Sequence, residues 1–321
     1  MIIQLKNKVS SVKFSGLNHK FRELLRQSSL TLVGLTFFVL CWAMLAANLQ
    51  TSLGQFPGPG AVAEQVQALV SEYQAEQKRE QLFYLRQHER LAKDENAIVR
   101  MYSGRPTFFS QIQTSLQTVL SGFLLASLIA IPAGIVIGLS PVFYSAFNPL
   151  IQLLKPVSPL AWLPLITIVV SASYPVDGLL SRSYLVSALT VALCSLWPTL
   201  INTIVGVSQV PTDLQNVSKV LRLNWYRHVR AIVLPSAIPM IFTGLRLSLG
   251  IAWMVLIAAE MLAQNPGLGK FVWDEFQNGS SESLARICVA VGVIGLIGLL
   301  LDRAMLAVQR AVSWDKNTQL R

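Results

Sequence analysis

The sequence predicts an all-α, polytopic membrane protein with six transmembrane helices. Three observations carry that expectation. Hydrophobic residues make up 53% of the 321 and charged residues only 13%, against about 25% charged in an ordinary soluble domain. The mean hydropathy is +0.51. The charges also fall in a few clusters, separated by apolar runs near the roughly 20 residues that cross a bilayer as helix.

Those runs are 30–49, 112–139, 147–171, 185–207, 237–262 and 285–305. Pro132, Pro156, Pro159, Pro164, Pro198 and Pro239 lie within or beside them, and a bundle tolerates these because neighbouring helices satisfy the freed backbone groups. The first run follows a basic segment, 1–29, too long for a cleavable signal sequence, so it reads as a signal anchor. Cys41, Cys194 and Cys288 fall singly within runs, as packing residues.

Sidedness follows from Lys and Arg in the connections. Segment 1–29 carries Lys6, Lys8, Lys13, Lys20, Arg22 and Arg26 against Glu23; segment 208–236 carries Lys219, Arg222, Arg227 and Arg230 against Asp213. From residue 302 on, Arg303, Arg310, Lys316 and Arg321 outnumber Asp302 and Asp315. Loop 50–111 is neutral, with seven acids and seven bases. Both termini, including the tail 306–321, and the loop 208–236 are therefore expected in the cytoplasm, with 50–111 outside. The net charge of +10 is then a topology signal and gives no reason to expect nucleic acid.

Loop 50–111 leaves the membrane through Phe56-Pro57-Gly58-Pro59-Gly60, a turn-rich exit. From Val62 to about Arg100 it is dense in Glu, Gln, Lys, Arg and Ala, which favours helix, with Leu69, Tyr73, Leu82, Leu85 and Leu91 as the buried positions. Two readings stand: a mobile charged hairpin, or a docking surface for a soluble substrate-delivery protein.

No catalytic, cofactor or metal constellation is present. His19, His88 and His228 are scattered over both sides of the expected membrane. Gly267-Leu268-Gly269-Lys270 lacks the spacing of a phosphate loop. Any ATP chemistry is expected on another chain.

The loop 208–236 is the most informative segment. Pro211 ends a helix, Asp213 can cap the next, and Val217, Val220 and Leu221 share one face with Lys219 and Arg222 off it. That pattern fits a helix lying on anionic lipid or one seated on a partner. The segment resembles the signature loop of ABC importer permeases, E-A-A-x3-G-x9-I-x-L-P. Ile232-Val233-Leu234-Pro235 matches its ending, while Asn216-Val217-Ser218 replaces E-A-A and Arg222 replaces the glycine. Resemblance extends over roughly 110–305, through Lys155–Pro164, Gly250–Leu262 and Phe271-Val272-Trp273-Asp274-Glu275, and is to the nitrate/bicarbonate/cyanate branch of binding-protein-dependent importers.

The resemblance implies a type I ABC importer permease fold in the bacterial inner membrane, with 112–305 as the permease core. It implies a homodimer, two cytoplasmic ATPase subunits holding ATP and Mg, and a periplasmic solute-binding protein. Asn216, Val217, Ser218, Lys219, Val220, Leu221, Arg222 and Leu223 would form the coupling helix, with Lys219, Arg222 and Arg227 touching the ATPase rim. The implied cargo is a small inorganic anion: nitrate first, with nitrite, then bicarbonate or cyanate, then a sulfonate.

Ionisable residues inside apolar runs are functional candidates. Lys155 and Arg246 are expected about 12 Å and 14 Å into spans entering from the same side, at the depth where transporters place substrates. Such a pair of cations suits an anion; alternatively each satisfies helix-end carbonyls at a proline-rich turn, or pairs with a carboxylate. Arg246, Trp253 and Glu260, spaced by seven, share nearly one face with Gly250 between, so Trp253 joins the expected pathway. Glu260 and Arg286 lie near the outer ends of their helices, as a structural ion pair or part of an outer gate. Gly134 and Gly138 form a GxxxG best explained by helix packing.

Overall fold

The computed structural model describes residues 29–51, 54–93, 98–175 and 178–312. The basic segment through residue 28 and the tail beyond Val312 lie outside these, and with them part of the charge argument for sidedness.

The first apolar run forms α1, Ser29–Asn48. A short antiparallel hairpin, β1 (Gln50–Thr51) with β2 (Gly54–Gln55), turns the chain, and Trp42 Nε1 donates to the Pro57 carbonyl at 3.2 Å. Then comes α2, Pro59–Lys93, a helix about 52 Å long at 1.5 Å per residue. It starts earlier and ends sooner than composition suggested. Leu69 is buried, as expected, and Tyr73 and Leu91 are half-buried, but Leu82 and Leu85 are 51% and 58% exposed. The correction has a simple cause: only the base of α2 meets the bundle, and its outer half packs one face, through Phe83, on Tyr102 of the returning segment, leaving Leu82 and Leu85 outside that contact.

Thr107 caps α3 (Phe108–Leu139) by accepting from Ser110 N–H. The third expected span, 147–171, is not one helix. It is α4 (Pro141–Leu154) and α5 (Pro159–Ser173), bent by 100°. Pro156 and Pro159 supply no N–H and disfavour helix before them; Ser158 caps α5 by accepting from Leu160 N–H. The bent pair still crosses the bundle. Leu139 lies at one end, whereas α6 (Arg182–Ser208) starts toward the other, where Tyr184 Oη meets Ser121 Oγ in the first half of α3 at 2.8 Å.

The connection after α6 folds as α7 (Thr212–Val220) and α8 (Trp225–His228). Helix α7 begins one residue before the expected cap, with Pro211 at its N-cap and Asp213 in its first turn. A π turn at Val229–Val233 leads into α9, Leu234–Ala263. Pro235 has no N–H for the Ala231 carbonyl, and the turn before it widens. The span is thus continuous from Trp225 to Ala263. Helix α10 (Leu268–Asn278) and α11 (Ser281–Val312) complete the described residues. With the bent pair as one span, six crossings result.

The core is α6, flanked by α3 and α9. Helices α3 and α6 run parallel, because Gly122 faces Ala188 and Val191 while Gly138 faces Ile204 and Val207. Between them, a Cβ on Gly134 would lie 2.7 Å from Thr203, so the GxxxG is a site of close helix approach. Helix α9 is antiparallel: Gly206 meets Ala237 and Met240, and Gly244 meets Pro198 and Asn202. Pro198 breaks the ladder of α6, and the contact repairs it, since Thr199 N–H donates to Ser248 Oγ at 3.0 Å. Helix α11 runs back along α9 with Ile294 opposite Trp253.

These registers put α2, α10, the start of α3 and the end of α9 at one end of the bundle. The loop from Gln209 to Val233 sits at the other, where Val207, Val210, Ile232, Val233 and Ala237 cluster with Leu139 and Leu223.

Candidate functional site

At the loop end, α7 is held by few contacts. Gln215 Nε2 donates to the Val210 carbonyl at 3.0 Å, and His228 Nδ1 meets Ser218 Oγ at 2.8 Å. Ser218 is buried and Leu223 half-buried against the bundle. The other members of the expected coupling segment face outward: Asn216, Lys219 and Arg222 are exposed, and Val217, Val220 and Leu221 are 48%, 82% and 63% exposed. Trp225 and Tyr226 extend this apolar patch. Burying one such side chain fully is worth about 1.5–3 kcal/mol, so the face is left for something outside the chain.

Arg222, in the place of the signature glycine, has φ 46°. Glycine enters this left-handed region freely, while a residue with Cβ pays about 1–2 kcal/mol. The turn survives because Arg222 N–H donates to the Lys219 carbonyl and Leu223 N–H to the Ser218 carbonyl, both at 3.1 Å. The replacement therefore keeps the glycine's backbone and adds a cation beside the patch.

The two candidate pathway cations are not brought together. Lys155 caps the end of α4 at the bend, exposed, with its N–H on the Ile151 carbonyl at 2.9 Å. The depth argument required a straight helix there, and the bend removes it. Arg246 instead faces α11. Its Nε donates to Asp302 Oδ1 at 2.6 Å and its Nη2 to Oδ2 at 3.0 Å, the parallel two-bond geometry in which guanidinium grips carboxylate. The pair lines a cavity of about 240 Å³ with Leu249, Gly250, Trp253, Gly298 and Leu301. Trp253, 7% exposed, donates from Nε1 to the Ile294 carbonyl at 3.0 Å, which fixes its ring against the cavity.

Asp302 was missed because, although it lies inside the expected run 285–305, its charge was counted with the basic tail as a sidedness signal. Helix α11 continues to Val312, carrying Asp302 into register with Arg246. An arginine within an apolar run was the available signal: such a charge needs a partner, and an acid in the next span was the place to look.

At the opposite end, Glu260 and Arg286 are not paired with each other. Glu260 is fully buried. Its carboxylate accepts from Ser115 Oγ at 2.8 Å and from Gly269 N–H at 3.0 Å, and Ser115 Oγ accepts from Leu268 N–H at 2.8 Å. Gln264, with φ 55°, ends α9 and returns the chain so that Gly267 packs on this carboxylate and Gly269 on the Ile257 carbonyl. The Gly267-Leu268-Gly269-Lys270 stretch, unfit for phosphate, is therefore a clasp over a buried acid. Arg286 joins three elements, donating to Glu72 and Gln65 of α2 and to Glu275 of α10.

Among the described residues, no group of three or more His, Cys, Asp or Glu could hold a metal ion.

Comparison with known proteins agrees with this geometry. A family described as the binding-protein-dependent transport system inner membrane component matches residues 130–314. The nitrate import permease protein NrtB of Synechococcus elongatus is 39% identical over 63% of this chain and 69% of its own. The bicarbonate transport system permease protein CmpB of the same organism is 33% identical over 92% and 93%. The taurine transport system permease protein TauC of Escherichia coli is 32% identical over 66% and 73%. Among solved structures, the MetNI methionine ABC transporter in an inward-facing conformation matches with a TM-score of 0.55 at 13% identity, over 64% of this chain and 95% of that one; it bears on the fold alone. The chain belongs to the family of inner membrane components of binding-protein-dependent transport systems, in the branch of the nitrate and bicarbonate ABC permeases.

Proposed function

We propose that this chain is the permease subunit of an ATP-driven importer of a small oxyanion, with nitrate as its first substrate and nitrite as a co-substrate. It works as a homodimer in a bacterial inner membrane, with both termini in the cytoplasm. Two separate ATPase subunits carry the ATP and Mg, and a periplasmic binding protein delivers the anion. One observation carries this reading: the exposed apolar face of α7, at the end of the bundle away from α2. A helix on lipid would keep its basic residues toward headgroups, but a groove in an ATPase explains why Val220, the last residue of a nine-residue helix, and Leu221, its C-cap, are presented outward on a segment tied back through Ser218. Asn216 to Leu223 is the coupling segment, Lys219, Arg222 and Arg227 are its rim contacts, and the Arg246–Trp253 cavity is the anion-handling part of the span region.

Nitrate comes first because relatives bearing that name match the core at 39% identity. Bicarbonate is the second reading, favoured by the relative that matches over 92% of the chain. Cyanate and sulfonates follow. Proteoliposomes containing this chain, its ATPase and its binding protein test the reading, with labelled nitrate and labelled bicarbonate in parallel. ATP-dependent nitrate uptake that excess bicarbonate does not suppress is the expected result. Uptake of bicarbonate alone would move the substrate, and uptake without ATPase would remove the importer class.

A further inference from the structure

We infer that Asp302 is an internal stand-in for the transported anion: its carboxylate occupies the anion site of Arg246, and a planar trigonal oxyanion entering the cavity takes its place. This rests on the proposed import of a small oxyanion and names a site for it.

Three features of the pair point beyond a structural bridge. First, the fork is complete, with Nε and Nη2 each on a separate oxygen. A carboxylate, nitrate and bicarbonate all offer two oxygens on one trigonal atom, so any of them satisfies the same two donors. Second, the pair is not sealed. The side chains of Arg246 and Asp302 are 33% and 38% exposed, beside a cavity of about 240 Å³. A bridge serving only to neutralise charge in an apolar span is best packed shut, because open space there adds no contact energy. Third, the walls leave room for the exchange. A Cβ on Gly250 would meet nothing within 4 Å, while the Trp253 indole is held aside by its bond to Ile294. With Asp302 in place, Arg246 is never an unpaired charge within the span, which would be costly. The carboxylate thus keeps the site neutral when empty and competes with the anion when it arrives.

The competition gives a sign that a structural bridge does not. Removing the charge of Asp302 while keeping its shape should strengthen anion binding at this site, whereas a bridge would only lose stability. The test uses the purified full-length chain. Its thermal unfolding midpoint is followed as sodium nitrate, and separately sodium bicarbonate, replaces sodium chloride at constant ionic strength. In Asp302→Asn, the half-saturating anion concentration should fall by about tenfold, the scale of one charge-assisted hydrogen bond, since the neutral amide no longer competes for the Arg246 fork. Unchanged half-saturation in folded Asp302→Asn overturns the inference. Should Asp302→Asn fail to fold, Arg246→Lys decides. Lysine still pairs with Asp302 but lacks the fork, so the anion response should weaken by about tenfold or more, and a wild-type response overturns the inference. ATP-driven uptake by the wild-type complex is measured alongside. If neither anion is taken up, the functional reading falls and this site with it; if uptake is normal while both folded variants respond as wild type does, only this inference falls.

Discussion

At the end of the bundle that carries α2, the Glu260 carboxylate is wholly buried with three elements closed over it, and Arg286 ties α2, α10 and α11 together. At the other end, Val220 and Leu221 stand 82% and 63% exposed on a helix secured by a few polar contacts. The first end satisfies its own charges within the chain. Both ends expose some apolar side chains, Leu82 and Leu85 at the first, but only the second sets such residues on a short helix among Lys219, Arg222 and Arg227. One end is thus closed by contacts within the chain, and the other presents an apolar face that the proposed coupling role would have an ATPase cover.

The largest effect expected from this contrast is on transport. Val220→Asp or Leu221→Asp should reduce ATP-driven uptake to the level without ATPase, because a carboxylate does not enter an apolar groove. The purified yield and unfolding midpoint should stay unchanged, as neither side chain packs within the chain. A parallel fall in stability would show that α7 is part of the core.

The clasp should respond in the opposite way. Gly269→Ala drives a methyl group into the Ile257 carbonyl, and overpacking of that kind costs about 1–3 kcal/mol. Its unfolding midpoint should drop in the isolated chain, with no ATPase present. An unchanged midpoint would mean that the end carrying α2 is less tightly closed than its contacts imply.

Arg222→Gly should be smaller still. Relief of the left-handed strain and the greater entropy of glycine in the unfolded chain are both about 1 kcal/mol and oppose each other. Folded yield should hold, while Arg222→Val, branched at Cβ, should lose it. Equal behaviour of the two variants would place the glycine's role in something other than backbone conformation.

The smallest effect concerns the segment returning from α2. Tyr102 Oη donates to Glu76 Oε1 at 2.6 Å. That bond holds the Glu76 carboxyl below its usual value, aided by Arg79, and pushes the Tyr102 phenol up. The contact is therefore complete around neutral pH. It is lost as pH falls through the lowered carboxyl value, and lost again as pH rises through the raised phenol value. The protection of the 98–107 amides, taken relative to their intrinsic exchange rate at each pH, should be greatest between those limits, and Tyr102→Phe should flatten that profile. A flat profile in the wild type would contradict the coupling.

Much of this architecture was legible in the sequence, for reasons that differ by element. Apolar runs long enough to span a bilayer located α1, α3, α6, α9 and α11, because length and composition suffice for that. The bend in 147–171 was signalled only by Pro156 and Pro159, and proline elsewhere in the chain, as at Pro132 and Pro239, rides inside helices. Helix in α2 was readable from composition, but the exposure of Leu82 and Leu85 was not, since burial depends on a neighbour that composition does not reveal. The segment proposed for coupling stood out only through its resemblance to a signature loop ending in Ile232-Val233-Leu234-Pro235. The Arg246–Asp302 pair did not, because it joins residues 56 apart on two helices whose register only the fold supplies. Glu260 and Arg286 were singled out as charges in apolar runs, but their partners lie on α2, α3 and α10, contacts that only the fold supplies.

The contrast between the two ends can be tested directly by photocrosslinking in the assembled transporter. A photoreactive amino acid replaces Leu221 in one variant and Leu85, on the exposed part of α2, in another. The account predicts that the probe at 221 captures the ATPase subunit and the probe at 85 does not, with ATP-driven uptake retained in the complexes tested. Capture of the ATPase from position 85, or no capture from 221 in a complex that still transports, would contradict it.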